Sequence, residues 1–250
     1  MVLLDILTLV AVGFIAQLAD GALGMAFGLI STTALLSLGL PPAQASAAAH
    51  TAEVATTGVS GLAHLVQRNI DFHLFLTLGI AGMGGGVIGA WVLSNIDGQP
   101  IRPFIATYLL LMGMLILLKV SRPALIQHAP KPELTAPLGV VGGFLDAIGG
   151  GGWGPIVTST LVGSGHAPRK VISSVNAAEF FVTVAISTTF LLELGLQHLT
   201  AIACLVAGGT IAAPFGAMLV RHVRPRLLMA AVGTLVCVLS LIQLVQALMG

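Results

Sequence analysis

The sequence predicts an all-α polytopic membrane protein built as two inverted repeats, each a broken, re-entrant hairpin followed by three transmembrane helices. Three observations carry this expectation: the composition, the lengths of the apolar runs, and an internal repeat whose basic residues select its orientation. Of 250 residues, 56% are hydrophobic and 8% are charged, with a mean hydropathy of +1.04. A soluble domain carries roughly 25% charged residues, so this chain cannot coat a water-facing surface. Its net charge of +1 offers no basic stripe for phosphates, which excludes a nucleic-acid partner and leaves the lipid bilayer as its solvent.

The apolar runs fall at about 3–38, 43–66, 72–94, 101–120, 134–164, 168–194, 198–220 and 226–249. Most match the ~20 residues that a helix needs to cross a bilayer. The first and fifth are too long for one helix and too short for two. Each is interrupted near its middle by an acidic residue and glycines, at Asp20-Gly-Ala-Leu-Gly-Met-Ala-Phe-Gly28 and at Asp146-Ala-Ile-Gly-Gly-Gly-Gly-Trp-Gly154. The start, Met1-Val-Leu-Leu-Asp5, lacks a basic region and a cleavage signature, and reads as the first membrane segment rather than a signal peptide.

The two interruptions align. A shift of 126 residues superposes 20–57 on 146–183 with 11 identities in 38 positions, among them Asp20/Asp146, Gly28/Gly154, Pro42/Pro168, Glu53/Glu179 and Thr57/Thr183. Chance would give about a third as many. The expected organisation is a first repeat over 1–120, a cytoplasmic linker over 121–133 and a second repeat over 134–250.

Charge then decides the orientation. If every run crossed once, the ten Lys and Arg residues would divide six to four. If both long runs are hairpins, Arg68, Lys119, Arg122, Lys131, Arg169, Lys170, Arg221, Arg224 and Arg226 share one face and Arg102 stands alone opposite. Basic residues concentrate on the cytoplasmic side. Five segments per repeat then invert the second half and place both termini outside, an architecture used by alternating-access carriers.

Four of the nine acidic residues lie inside membrane runs, as the pairs Asp20/Asp146 and Glu53/Glu179. An ionisable group in hydrocarbon is costly and marks a functional site by default. Glu53 comes about eleven residues into its helix, or ~16 Å at 1.5 Å per residue, and Glu179 reaches the same depth from the opposite face. Two readings stay open for them: hydrogen bonding to backbone freed at the breaks, or loading and releasing a proton during transport. His50, one turn before Glu53, could share that proton; its repeat mate is Asn176.

Asp20 and Asp146 read as structural caps, each at the N-cap of a new half-helix. Gly149, Gly150, Gly151 and Gly152, with Gly21 and Gly24 in the first repeat, would leave bare N–H groups at a half-helix N-terminus, which attracts an anion. Thr57, Thr183, Ser173, Ser174 and Asn176 could add donors, and Trp153 could wall the pocket. The glycines from Gly79 to Gly89 have overlapping GxxxG spacings and read as helix packing. Cys204 and Cys237 form no disulfide framework or metal motif, and no HExxH, Walker A or nucleophile elbow is present. Neither a cofactor, a metal nor an enzymatic activity is expected.

The paired pattern of acidic residue, glycine-rich break, proline at the next helix start and glutamate in an Ala/Ser-rich helix resembles the sulfite exporter TauE/SafE family. In this chain it reads Asp20-GALGMAFG, Pro42, Glu53 and Asp146-AIGGGGWG, Pro168, Glu179, within a likeness over about 3–249. The resemblance implies a bacterial inner-membrane carrier of sulfite or an organosulfonate, acting mostly outward. The alternatives in view are an anion channel and a carrier for a small carboxylate. A homodimer is among the assemblies that the sequence allows.

Overall fold

The computed structural model of the protein describes residues 3–23, 25–66, 70–121, 132–164, 168–222 and 225–249. Of the residues that the sequence singled out, Gly24, Arg68, Arg122, Lys131 and Arg224 lie outside these, as do the side chains of Arg169 and Arg221. Every regular element among the described residues is helical.

The first half runs α1 (Leu3–Leu23), α2 (Phe27–Ser37), α3 (Pro42–Val66), α4 (Phe72–Asn95) and α5 (Gly98–Ser121). A short 3-10 turn, Pro132–Leu134, leads into α6 (Thr135–Gly149). A π-helical turn, Trp153–Thr158, then continues directly into α7 (Ser159–Gly163), followed by α8 (Pro168–Leu194), α9 (Leu199–His222) and α10 (Pro225–Met249). Adding 126 to the end of α1, to both ends of α2 and to the start of α3 gives Gly149, Trp153, Gly163 and Pro168, the corresponding boundaries in the second half. Both long runs are therefore broken helices, each with a second arm of eleven residues.

Proline and glycine explain where the arms begin and end. Pro42 and Pro168 open α3 and α8 at the first helical position, where the missing N–H costs nothing. Gly150 closes α6 at φ +68°, a left-handed conformation that only glycine adopts without strain.

Among the described residues, five helices are long and apolar enough to cross a membrane: Leu4–Gly21, Phe72–Asn95, Pro100–Val120, Lys170–Leu194 and Arg226–Met249. Helix α3, 25 residues long, falls short in hydropathy because it carries Ser46, His50, Glu53, Thr56 and Thr57, all buried. Surrounding helices shield this polar face from lipid. The exposed side chains include Leu76, Ile80, Ile88 and Trp91 on α4 and Leu111, Met114 and Leu118 on α5, a surface suited to acyl chains.

The two halves interlock. Helix α1 packs on α9 and α6 packs on α4, so the first helix of each half lies on the fourth helix of the other. Likewise α3 packs on α8 and α5 on α10, joining equivalent helices across the halves. Small residues let these crossings close: a methyl group at Gly89 would sit 2.6 Å from the Phe144 carbonyl oxygen, and one at Gly143 would collide with that of Gly82.

Candidate functional site

The two breaks meet at the centre of the bundle. A methyl group at Gly28 would lie 2.7 Å from the Gly150 carbonyl oxygen, so the start of α2 rests directly on the second break. Thr32 Oγ1 donates to that same carbonyl at 2.8 Å. Tyr108 on α5 donates its hydroxyl to the Gly151 carbonyl at 3.2 Å. These bonds satisfy backbone acceptors that the interruption of a helix sets free.

Asp20 and Asp146 sit six residues before the N-cap positions expected for them. The residues preceding the new helices are Ala26 and Gly152, neither with a capping side chain. Each aspartate instead lies in the last turn before the break and reaches across it. Asp20 Oδ1 accepts from the Ala26 and Phe27 N–H groups at 2.9 and 3.5 Å. Asp146 Oδ1 accepts from the corresponding Gly152 and Trp153 N–H groups at 2.7 and 2.9 Å. Of the N–H groups expected to be bare over Gly149–Gly152, that of Gly152 is therefore filled, and the chain's own carboxylates occupy both cradles. Asp146→Ala would strip two buried donors of their acceptor, at a cost of about 2 kcal/mol or more, and Asp20→Ala about half that. Thermal unfolding in detergent should rank the two variants in that order; equal shifts would contradict the assignment.

Asp146 also joins the two halves. Its Oδ2 lies 3.2 Å from Nε2 of the fully buried His50. On the other side of the ring, His50 Nδ1 is 2.9 Å from the Ser46 carbonyl. That carbonyl can only accept, so Nδ1 carries a hydrogen. The contact between Nε2 and Oδ2 then requires one further proton, held on the imidazole or on the carboxyl. Ser46 Oγ donates to the Ala147 carbonyl at 2.6 Å and steadies the pair. His50 was expected to share a proton with Glu53; its hydrogen-bonded carboxyl partner is Asp146.

Glu53, Glu179 and Asp146 line a small central cavity of about 10 Å³ with Gly151, Gly152 and Trp153, facing Met25, Ala26, Gly28, Leu29, Gly154 and Pro155. That is roughly the room of one water molecule. Trp153 is completely buried, and its indole N–H donates to the Val175 carbonyl at 3.2 Å. Other expected site residues stand outside this wall. Gly21 is exposed, and Gly149 packs on the Tyr108 ring. Gly150 serves the turn, and the Thr57 hydroxyl donates to the Glu53 carbonyl at 2.7 Å. Ser174 Oγ accepts from the Asp71 N–H at 2.9 Å, and Ser173 is buried. Asn176 Oδ1 and Thr183 Oγ1 are buried without hydrogen-bond partners.

Two tethers had no sequence signal. Lys119 on α5 donates to the Pro155 carbonyl at 3.0 Å and to Ser159 Oγ in the second arm. Gln243 on α10 donates to the Thr33 carbonyl at 2.8 Å and to Ser37 Oγ at 2.9 Å in α2. Each short arm is thus held by the fifth helix of the opposite half. Their only trace in the sequence is a polar residue in an otherwise apolar helix.

Broken helices with ionisable side chains gathered at their meeting point define a polytopic membrane protein with a polar interior. The model of the family described as sulfite exporter TauE/SafE matches residues 9–242, and the chain belongs to that family of membrane transporters. It is 42% identical over 230 residues to a probable membrane transporter protein, YtnM, of Bacillus subtilis (strain 168), covering 89% of this chain and 77% of that protein. No solved structure matches the chain.

Proposed function

We propose that the protein is a proton-coupled secondary transporter that moves a small sulfur-containing oxyanion, sulfite or an organosulfonate, outward across a bacterial inner membrane. The observation that carries this reading is the central cavity, where three carboxyl groups meet two broken helices and, among the described residues, no Lys or Arg lines the wall. An oxyanion entering such a site meets repulsion unless the carboxyl groups hold protons. A protonated carboxyl becomes a hydrogen-bond donor to the anion, so anion and proton occupancy are linked at one place. Glu53 and Glu179 supply this property.

The inverted arrangement belongs to the same reading. It is supported by the reciprocal packing of α1 on α9 and α6 on α4, by the register of the elements under a 126-residue shift, and by the nine-to-one charge split, which puts both termini outside. A vestibule of about 240 Å³ between α3 and α8 includes Phe190 in its wall. The Phe190 ring lies 6.5 Å from that of His50, between the vestibule and the centre. Movement of α3 against α8 would open this side. The narrow centre, with room for about one water molecule, favours a carrier over a channel, which needs a continuous polar lining.

The test is sulfite flux in liposomes containing the purified protein. Flux should saturate with concentration, and an imposed pH gradient should raise it about tenfold, equivalent to about 1.4 kcal/mol of barrier. Methanesulfonate should compete. Flux that rises linearly with sulfite and ignores the gradient would establish the channel instead, and the absence of sulfite flux would remove the substrate class.

A further inference from the structure

At the end of α5 opposite Lys119 lies a second polar cavity, of about 320 Å³, lined by Ser37, Arg102, Gln243 and Gln246 together with Leu36, Gly39 and Ala247. Arg102 is the one basic residue that the charge distribution places on its face of the membrane. Its Nη2 donates to the carbonyl oxygens of Gly39 and Leu40, each at 3.2 Å, which fixes the guanidinium against the turn after α2. A guanidinium has five N–H donors, so Nε and Nη1 remain for another acceptor. Among the described residues, no carboxylate lines the cavity.

Polar groups continue inward from this cavity. Gln243 bridges α10 to the Thr33 carbonyl and Ser37 Oγ. One turn deeper on the same two helices, Ser240 Oγ and Thr33 Oγ1 are completely buried with no hydrogen-bond partner. Buried hydroxyls normally find partners, and two such orphans, one on each of these packed helices, mark a place where a polar species is accommodated. The next residue, Thr32, donates to the Gly150 carbonyl at the break. The second half has no such file: the equivalents of Arg102, Ser240 and Gln243 are Leu228, Met114 and Leu117.

We infer that the Arg102 cavity is an accessory oxyanion-binding site, separate from the central one, where a small sulfonate-like anion docks on the guanidinium at one mouth of the transport path. The identity of its occupant rests on the carrier reading above. Tying down the turn at Gly39 and Leu40 occupies only Nη2, whereas a docked anion takes the free edge of the guanidinium and the Gln246 amide.

The test uses Ala247→Cys, at a lining position with no role in holding the anion, in protein whose Cys204 and Cys237 are replaced by alanine, held in nanodiscs of zwitterionic lipid. The introduced thiol is reacted with an anionic and with a cationic methanethiosulfonate. The ratio of the two rates should favour the anionic reagent, fall about threefold or more when Arg102→Gln is added, and persist with Arg102→Lys. Methanesulfonate should slow the reaction while Arg102 is present. This protection needs no arginine variant, so it decides even if Arg102→Gln fails to fold. An unchanged ratio, or no protection by methanesulfonate, overturns the site. Protection by phosphatidylglycerol in the disc but not by methanesulfonate assigns the cavity to a lipid headgroup and overturns it as well. Labelling does not depend on transport, so a parent protein that shows protection but no sulfite flux would fail the carrier reading and keep the site.

Discussion

Replacing both Glu53 and Glu179 with glutamine should leave anion exchange running while proton-driven net flux falls at least about tenfold, on the order of 1.4 kcal/mol of barrier. Glutamine keeps the shape of glutamate and a donor for the oxyanion, but it cannot load or release a proton. Both residues line the central cavity, so both changes act where anion and proton are proposed to meet. Exchange moves an anion each way and needs no net proton movement; net flux does. Comparing counterflow with gradient-driven flux in the same liposomes therefore separates the loss of coupling from the loss of binding.

The two single variants should differ. Glu53 shares α3 with His50, which is tied to Asp146 of the other half at 3.2 Å, whereas Glu179 has Asn176 at the equivalent place. Glu53→Gln should give the larger loss. Alanine at either position should impair both modes of transport, because the donor to the anion disappears with the proton. Undiminished pH-dependent flux in the double glutamine variant would end proton coupling through these groups and leave them as scaffolding.

The breaks were legible in the sequence because their cause is local. An acidic residue, a glycine cluster and a following proline suffice to interrupt a helix, and the same signature appears twice, 126 residues apart. The direction in which Asp20 and Asp146 act was not legible. A carboxylate before a glycine cluster reads as an N-cap, but here α1 runs on to Leu23 and α6 to Gly149, so each carboxylate reaches forward across the break to N–H groups six and seven residues later. The pairing of His50 with Asp146, the anchoring of Pro155 by Lys119 and that of Thr33 by Gln243 all join residues from opposite halves. Such contacts depend on how the halves interlock, which no pattern within a single helix encodes. The same holds for the glycines at 149–152: their number suggested open N–H groups, yet Gly149 and Gly152 are small because the Tyr108 ring and hydroxyl lie against them.

Glycine packing also yields the largest expected effect on stability. A methyl group at Gly85 would run into the Val140 carbonyl where α4 crosses α6, with Val140 Cα only 2.9 Å away. One at Gly208 would meet the Val10 carbonyl where α9 crosses α1, with the Phe14 nitrogen at 2.7 Å. Backbone atoms cannot rotate aside as a side chain can, so the helices must separate. Gly85→Ala and Gly208→Ala should therefore each cost about 1–3 kcal/mol, read as a lowered unfolding midpoint in detergent. Gly84→Ala is the control, since nothing lies within 4 Å of its new methyl group; there alanine should be neutral or stabilise by up to about 1 kcal/mol through helix propensity. The comparison bears on the architecture as well as on packing. Gly13 and Gly208 close the crossing of α1 with α9, while Gly139 and Gly82, their partners under the 126-residue shift, lie at the crossing of α6 with α4. If the two halves are built alike, Gly13→Ala, which meets the Leu205 carbon at 2.9 Å, should be costly, and Gly139→Ala, which meets the Leu78 carbonyl oxygen at 3.2 Å, should be costly in the same direction but less so. Tolerance at one crossing with collapse at the other would show that the halves share a sequence pattern without sharing a way of packing.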